Sequence, residues 1–395
     1  MSMNRQVYLD NSASTRVHPS VIEAMLPYFG DCFGNPSSLH GAGRAAREAV
    51  DAARATIAGA LGASPEEIVF TSGGTESNNL ALKGAAFASK ERGRHLIISA
   101  IEHDCVLNSC RWLASQGFRV SVLPVDKYGL VDVGKLAGAI GPDTILVSIM
   151  HANNEIGTVE PIEEIGALCR ERGVIFHSDA CQSFTRMPLD VRRQAVDLLT
   201  INAHKIYGPK GVGALYIRGG TPIVAWQHGG GHERGMRSST ENVPGIVGFA
   251  AAVELCTRDA TAEEARQTRL RERIIEHVLN DIDGAYLNGH RTRRLPNNVN
   301  FGFHGLEGDA IRLLLELDAA GIAVSTGSAC SSNESENKAS HVLRAIGRNP
   351  IEARGALRIS LGRDNTEDEI EYCLDALGKA VRNLRSISSA RLGGN

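Results

Sequence analysis

In the stretch INAHKIYGPKG, residues 201–211, Lys205 directly follows His204 at the end of an apolar run, VDLLTINA, that reads as a buried strand. An amine held in a dry pocket has a lowered pKa and attacks carbonyl carbon to form a Schiff base. A second strand, in GVIFHSDACQS (173–183), ends in Asp179 with Gln182 just beyond. Open α/β sheets keep their ligands at the carboxyl ends of their strands, where that carboxylate would stand. A third, in VFTSGGTESNNLAL (69–82), passes through a glycine turn into a helix opening with Thr75, Glu76 and Ser77. Unpaired backbone N–H groups and a hydroxyl at such a turn suit a phosphate, although GxGxxG and GxxxxGK[ST] are both absent. Each feature alone has a plainer explanation: a solvated lysine, a helix N-cap, an ordinary turn. Together, an amine, a carboxylate for a pyridinium nitrogen and a phosphate cradle suit pyridoxal phosphate.

Further strand ends add candidates. SAIEHDCVLNSC (99–110) places His103 beyond one strand, where an imidazole can stack on a ring or move protons. HANNEIG places Asn153 and Asn154 beyond another, where an amide can hold a ring hydroxyl. Cys330, in IAVSTGSACSSNESENKASHV (322–342), lies among small and polar residues that predict an exposed loop rather than a core element. A thiol on such a loop can enter a pocket, attack sulfur and leave. GALRISLGR supplies Arg358, whose guanidinium fork matches a carboxylate, or else a surface ion pair.

The elements that must position these groups follow a simple pattern. Seven short apolar runs between residues 66 and 219 alternate with amphipathic helical stretches, which predicts an α/β fold with a mostly parallel sheet covered by helices. From residue 258 the pattern changes to long charged helices and two further strands, predicting a smaller α+β domain. We therefore expect a large domain over 1–257 and a small one over 258–395, with the first fifteen or so residues packing against the small domain. A net charge of -3 favours neither nucleic acid nor an anionic membrane surface as partner. No apolar run is long enough to span a bilayer and no signal peptide is visible, so a cytoplasmic location is expected. The eight cysteines are scattered without a CxxC pair, which argues for a reducing compartment and against disulfides or a zinc site.

The motifs in sequence resemble those of the cysteine desulfurases that serve iron–sulfur and nitrogenase cluster assembly, a group within the class-V aminotransferases and the fold-type I pyridoxal phosphate enzymes. They run from VYLDNSAST through GNPSSLHGAGR, FTSGGTESNN, MHANNEIGT, HSDACQS, AHKIYGPKGVGAL, GGGHERGMRSSTENVPGI and STGSACSS to SHVLRAIG and LRISLGR. The resemblance covers nearly the whole chain. It implies Lys205 as the Schiff-base lysine, Asp179 as partner of the ring nitrogen, and Gln182 and Asn154 as contacts of the ring oxygen. His103 would stack on the ring and assist proton transfer. Gly74, Thr75, His204 and Asn202 would hold the phosphate, with Thr240 reaching it from the second subunit of a homodimer. Arg358, with Asn154, would bind the carboxylate of L-cysteine, and Cys330 would accept its sulfur as a persulfide.

The implied partners are an iron–sulfur scaffold protein or a tRNA-thiolation acceptor, and no metal is implied in the free enzyme, although Cys330 is a possible cluster ligand in a partner complex. The loop after Cys330 resembles the longer-loop branch of the family. Four positions depart from the family pattern. Asn202 replaces a serine, Ser239 replaces the glycine before Thr240, and the loop after Cys330 reads SSNESENKASHV. Cys105 replaces a small apolar residue, and we expect it to be a buried small side chain rather than a second thiol at the cofactor. Two other readings of the same residues are a selenocysteine lyase, which would not need Cys330, and a sulfur-carrier subunit without turnover.

Overall fold

The computed structural model describes residues 5–326 and 339–392, so Cys330 lies outside the described residues. After a two-residue strand, β1 (Val7–Tyr8), seven strands build the central sheet: β2 (Ile68–Thr71), β3 (His95–Ser99), β4 (Arg119–Leu123), β5 (Thr144–Ser148), β6 (Ile175–Asp179), β7 (Leu198–Asn202) and β8 (Gly213–Ile217). Their spatial order is β2-β8-β7-β6-β5-β3-β4. Strand β8 runs antiparallel to both neighbours, and every other pairing is parallel. All seven coincide with the apolar runs. Strands β3, β5, β6 and β7 are buried along their whole length, which is why they read as continuous apolar runs rather than alternating ones. Only β4, at the edge, carries exposed residues, including Arg119.

Helices cover both faces. On one, Gly41–Leu61 packs on Val243–Thr257. Its Ala46, Val50, Ala53, Ile57 and Leu61 recur every three or four residues and are buried in one cluster with Phe249, Phe176 and Ile201. Gly62 ends this helix at φ 67°, the left-handed cap that glycine adopts without strain. On the other face, Gly74–Ala88 and Asp104–Ser115 pack Leu80, Ala85, Val106 and Leu113 over Leu96, Ile98, Leu146 and Leu198.

Beyond residue 258 come the helix Ala260–Asp281, β9 (Ala285–Leu287), β10 (Asn298–Phe303), the helix Ala310–Ala319, β11 (Ile322–Ala323), β12 (Leu357–Ser360) and the helix Glu367–Leu392. Strands β12, β10 and β9 form an antiparallel sheet with its own apolar interior, including Leu270, Ile274, Phe301, Leu317, Leu357 and Leu374. The first residues of the chain join this region. Strand β1 pairs in parallel with β11, Val7 against Ile322 and Tyr8 against Ala323, and Val7 and Leu9 belong to the same cluster. No described helix is long and apolar enough to cross a membrane.

Candidate active site

A cavity of about 260 Å³ opens at the carboxyl ends of the parallel strands. Lys205, His204 and Asn202 reach it from β7, Asp179 and Cys181 from β6, and His103 and Cys105 from beyond β3. Asn154 arrives from beyond β5, Gly74 and Thr75 from beyond β2, and Arg358 from β12. Nine of the residues expected from the sequence thus meet in one place. Gln182 is buried just behind the cavity, its Nε2 donating to Ser12 O at 2.9 Å. Thr240 is exposed and does not line this cavity within its own chain. Cys330 is outside the described residues.

The turn after β7 explains the placement of Lys205. The N–H groups of Ile206 and Gly208 both donate to Ala203 O, and Arg186 Nη2 donates to Lys205 O at 2.6 Å. Tyr207 closes the turn at φ 68° and donates its N–H to Thr15 Oγ1 at 2.7 Å. The backbone on either side of the lysine is therefore fixed. His204 is held neutral, its pKa pushed down to about 4 by burial and then by Lys205, Lys210 and Arg186.

Asp179 is buried, a placement that by itself would raise its pKa. The Cys181 N–H at 2.9 Å, His103, the Asn78 amide at 2.7 Å and Lys205 outweigh that and hold the carboxyl below its ordinary value. A buried carboxylate kept ionised is what a protonated ring nitrogen requires. Arg358 on β12 is 2 % exposed, with Nη2 2.7 Å from Asp10 Oδ1 and Nη1 donating to Asn154 O at 3.0 Å. These contacts orient the fork at the cavity wall.

The two adjacent asparagines separate cleanly. Asn153 is fully buried and spent on structure: Nδ2 donates to Ile101 O, and Oδ1 accepts from the N–H groups of Glu155 and Ile156. Asn154 alone lines the cavity. Cys105 requires a correction. It is half-buried and lines the cavity, with Sγ 3.0 Å from His103 Nδ1 and accepting from Asn78 Nδ2 at 3.1 Å. It is thus a second thiol at the site, because residue 105 is the second residue of a helix that starts at the cavity wall.

Against this geometry the comparisons can be set. The model of the class-V aminotransferases matches residues 7–373. The chain belongs to that family. It is 51 % identical to a cysteine desulfurase IscS of Methanosarcina thermophila, over 98 % of this chain and 94 % of that protein. Identity is also 51 % to the cysteine desulfurase IscS of Dictyoglomus turgidum, over 98 % of this chain and 97 % of that one. Among solved structures, a NifS-like protein superposes with a TM-score of 0.88 at 38 % identity, covering 96 % of this chain and all of that one. SspA in complex with cysteine superposes with a TM-score of 0.80 at 42 % identity, covering 90 % of this chain and 99 % of that one.

The cofactor of this class-V chain is pyridoxal phosphate, and the residues present fit it. At the phosphate end a Cβ on Gly74 would lie 2.8 Å from Cys181 Sγ, so only glycine leaves the start of the Gly74–Ala88 helix open. Asn202 lines the cavity beside it with Oδ1 buried and unpartnered, as is Oε1 of Gln182, three residues beyond Asp179. Buried polar atoms left without partners are uncommon in folded chains, and a polar group in the cavity would satisfy them. Ser239 holds φ 108°, a backbone region that favours glycine.

Sequence reasoning missed Asn78, Ser12 and Asp10. Asn78 had a signal: it lies four residues, one helical turn, after Gly74, on the same face of the helix. Asp10 and Ser12 had none beyond the motif VYLDNSAST, because their position depends on β1 joining a region three hundred residues away.

Proposed function

We propose that this chain converts L-cysteine to L-alanine as a pyridoxal phosphate-dependent cysteine desulfurase and passes the sulfur on as a persulfide on Cys330. The observation that carries the reading is the convergence of Lys205, an ionised Asp179, His103 and Arg358 on one cavity at the strand ends. When bound, the cofactor supplies a carbonyl carbon that takes up amines and a ring that delocalises the electron pair left as Cα loses its proton. Lys205 Nζ holds the cofactor and carries that proton. Asp179 sets a negative charge against the ring nitrogen, Gln182 and Asn154 contact the ring oxygen, and His103 covers the ring face. The phosphate rests on Gly74, Thr75, Asn202 and His204. Arg358 takes the substrate carboxylate in its fork. The Cys330 thiolate attacks the substrate sulfur; the S–S bond forms as the Cβ–S bond breaks, and the electron pair stays on carbon, which is protonated to alanine.

The same reading takes the working form as a cytoplasmic homodimer. Leu26, Phe29, Phe33 and Leu39 are 59–91 % exposed near the start of the chain, an apolar surface that a second copy would cover, and Thr240 would reach the partner's phosphate site. The separate apolar interiors support a division near residue 257. The sulfur goes to an iron–sulfur scaffold or a tRNA-thiolation protein. The test is alanine release from L-cysteine with a reductant, wild type beside Cys330→Ala. Turnover in the wild type and its loss in the variant, with the cofactor absorbance unchanged, is the expected result; no alanine from either protein overturns the reading.

A further inference from the structure

His103 is the N-cap of the Asp104–Ser115 helix, with extended backbone at φ -63° and ψ 150°. Its Nδ1 lies 3.2 Å from the backbone nitrogen of Cys105 and 3.0 Å from the Cys105 sulfur. A backbone N–H can only donate, so Nδ1 is an acceptor. The contact with sulfur must then run the same way, from S–H to Nδ1. Its other side agrees. Asn78 turns Nδ2 toward Asp179 Oδ2 at 2.7 Å, since its carbonyl would repel the carboxylate, and that same nitrogen is 3.1 Å from Cys105 Sγ. The sulfur accepts from Asn78 and donates to His103, which requires a thiol, not a thiolate. Burial, followed by the Asp179 charge, pushes the Cys105 pKa up to about 12, so the proton is in place. The result is one chain of bonds from the ring-nitrogen carboxylate through Asn78 and Cys105 to the ring-face histidine.

We propose that Cys105 is a positioning residue for His103: its S–H and its N–H together hold Nδ1 as an acceptor, so that the imidazole carries its single proton on Nε2, the nitrogen left for the cavity. This rests on the reading of His103 as the group at the cofactor's ring face. The consequence is an assignment of roles. With Nε2 protonated, His103 enters the reaction as a hydrogen-bond and proton donor, and removal of the Cα proton falls to Lys205. The charged and titratable groups facing the ring besides Cys105 are Lys205, Asp179, Asp104 and His341. Burial first, and Lys205 next, favour the neutral ring, while Asp179 and Asp104 oppose them.

Imidazole nitrogen NMR on cofactor-loaded protein carrying ¹⁵N-histidine tests this without reference to turnover, with His103→Gln locating the resonances. At neutral pH the wild type is expected to show His103 as the Nε2–H tautomer, with Nδ1 at the upfield shift of a hydrogen-bonded imine-type nitrogen. In Cys105→Ala that resonance moves downfield, and in Cys105→Ser, which restores a donor of similar size, it returns. A wild type with the proton on Nδ1 overturns the proposal. So does an alanine variant whose Nδ1 does not move, or a serine variant that behaves as alanine does. Because the signal is read from the ring itself, a protein that releases no alanine from cysteine still decides the matter, and the two readings fail separately.

Discussion

Strand β3 begins with one histidine and is followed, four residues past its end, by another, and the two have opposite lives. His95, its first residue, is 1 % exposed, with Nδ1 2.8 Å from Thr144 Oγ1 and Nε2 2.8 Å from Ser121 Oγ. Both nitrogens are spent on neighbouring strands. His103, four residues beyond the strand's last residue, has hydrogen bonds among the described residues at Nδ1 alone and lines the cavity. At the amino ends of the parallel strands two ion pairs form, Asp143 with Arg119 and Asp197 with Arg218. At the carboxyl ends Asn78, Gln182 and Asn202 keep buried oxygen atoms without partners. Chemistry is possible where polar atoms remain unspent, and residue type alone does not reveal that.

Substitutions that respect or violate this division sharpen it. The largest effect is expected for Lys205→Ala, with alanine release from L-cysteine falling about 10³-fold or more. A variant rate near wild type would remove the centre of the site. Next, the two histidines should respond in opposite ways to glutamine. His103→Gln should lower turnover about 10²-fold while costing no more than about 1 kcal/mol of stability, from the disturbed helix cap. His95→Gln should leave turnover intact and cost about 1–2 kcal/mol in denaturant titrations, through lost hydrogen bonds between strands. The reverse pattern would break the comparison.

A pH effect should follow from Glu102, which precedes His103 and is fully buried, accepting from Ser99 Oγ at 2.6 Å and Met150 N at 2.8 Å. Burial raises its pKa to about 8. The folded chain therefore holds a proton that the unfolded chain releases near pH 4.5, so Glu102 lowers stability progressively as pH rises from about 4.5 to 8. Glu102→Gln should flatten that slope, gaining of order a few kcal/mol at pH 8 relative to pH 5. Identical slopes in the two proteins would show the carboxyl to be better solvated than its burial implies. The smallest effect is expected for Asp143→Asn at the exposed amino edge, with no resolvable change in melting or turnover.

The sheet was legible because its central strands are buried on both faces and written as apolar runs, two of which, β6 and β7, end at polar residues on the cavity, Asp179 and Asn202. Lys205, Asp179, His103 and Asn154 were legible for the same reason. What sequence could not supply was the spending of polar atoms. Asn153 and Asn154 are chemically identical neighbours, and only the fold shows that one closes a turn while the other faces the cavity. Cys105 was read as filler because a thiol's role depends on what lies within 3 Å of it. Asn78 was visible as a helical neighbour of Gly74, but its partner Asp179 lies a hundred residues on.

The pairing of β1 with β11, and of Asp10 with Arg358 and Ser360, also has a consequence in time. A ribosome makes Ser12 and Ala13, which line the cavity, long before Ser360, 348 residues on, whose Oγ accepts from Ser12 N–H. A nascent chain already carrying Lys205, Asp179 and His103 still lacks Arg358 in the cavity wall. The site is closed only after β12 has been made, and a half-made chain has no finished pocket in which to begin releasing sulfur.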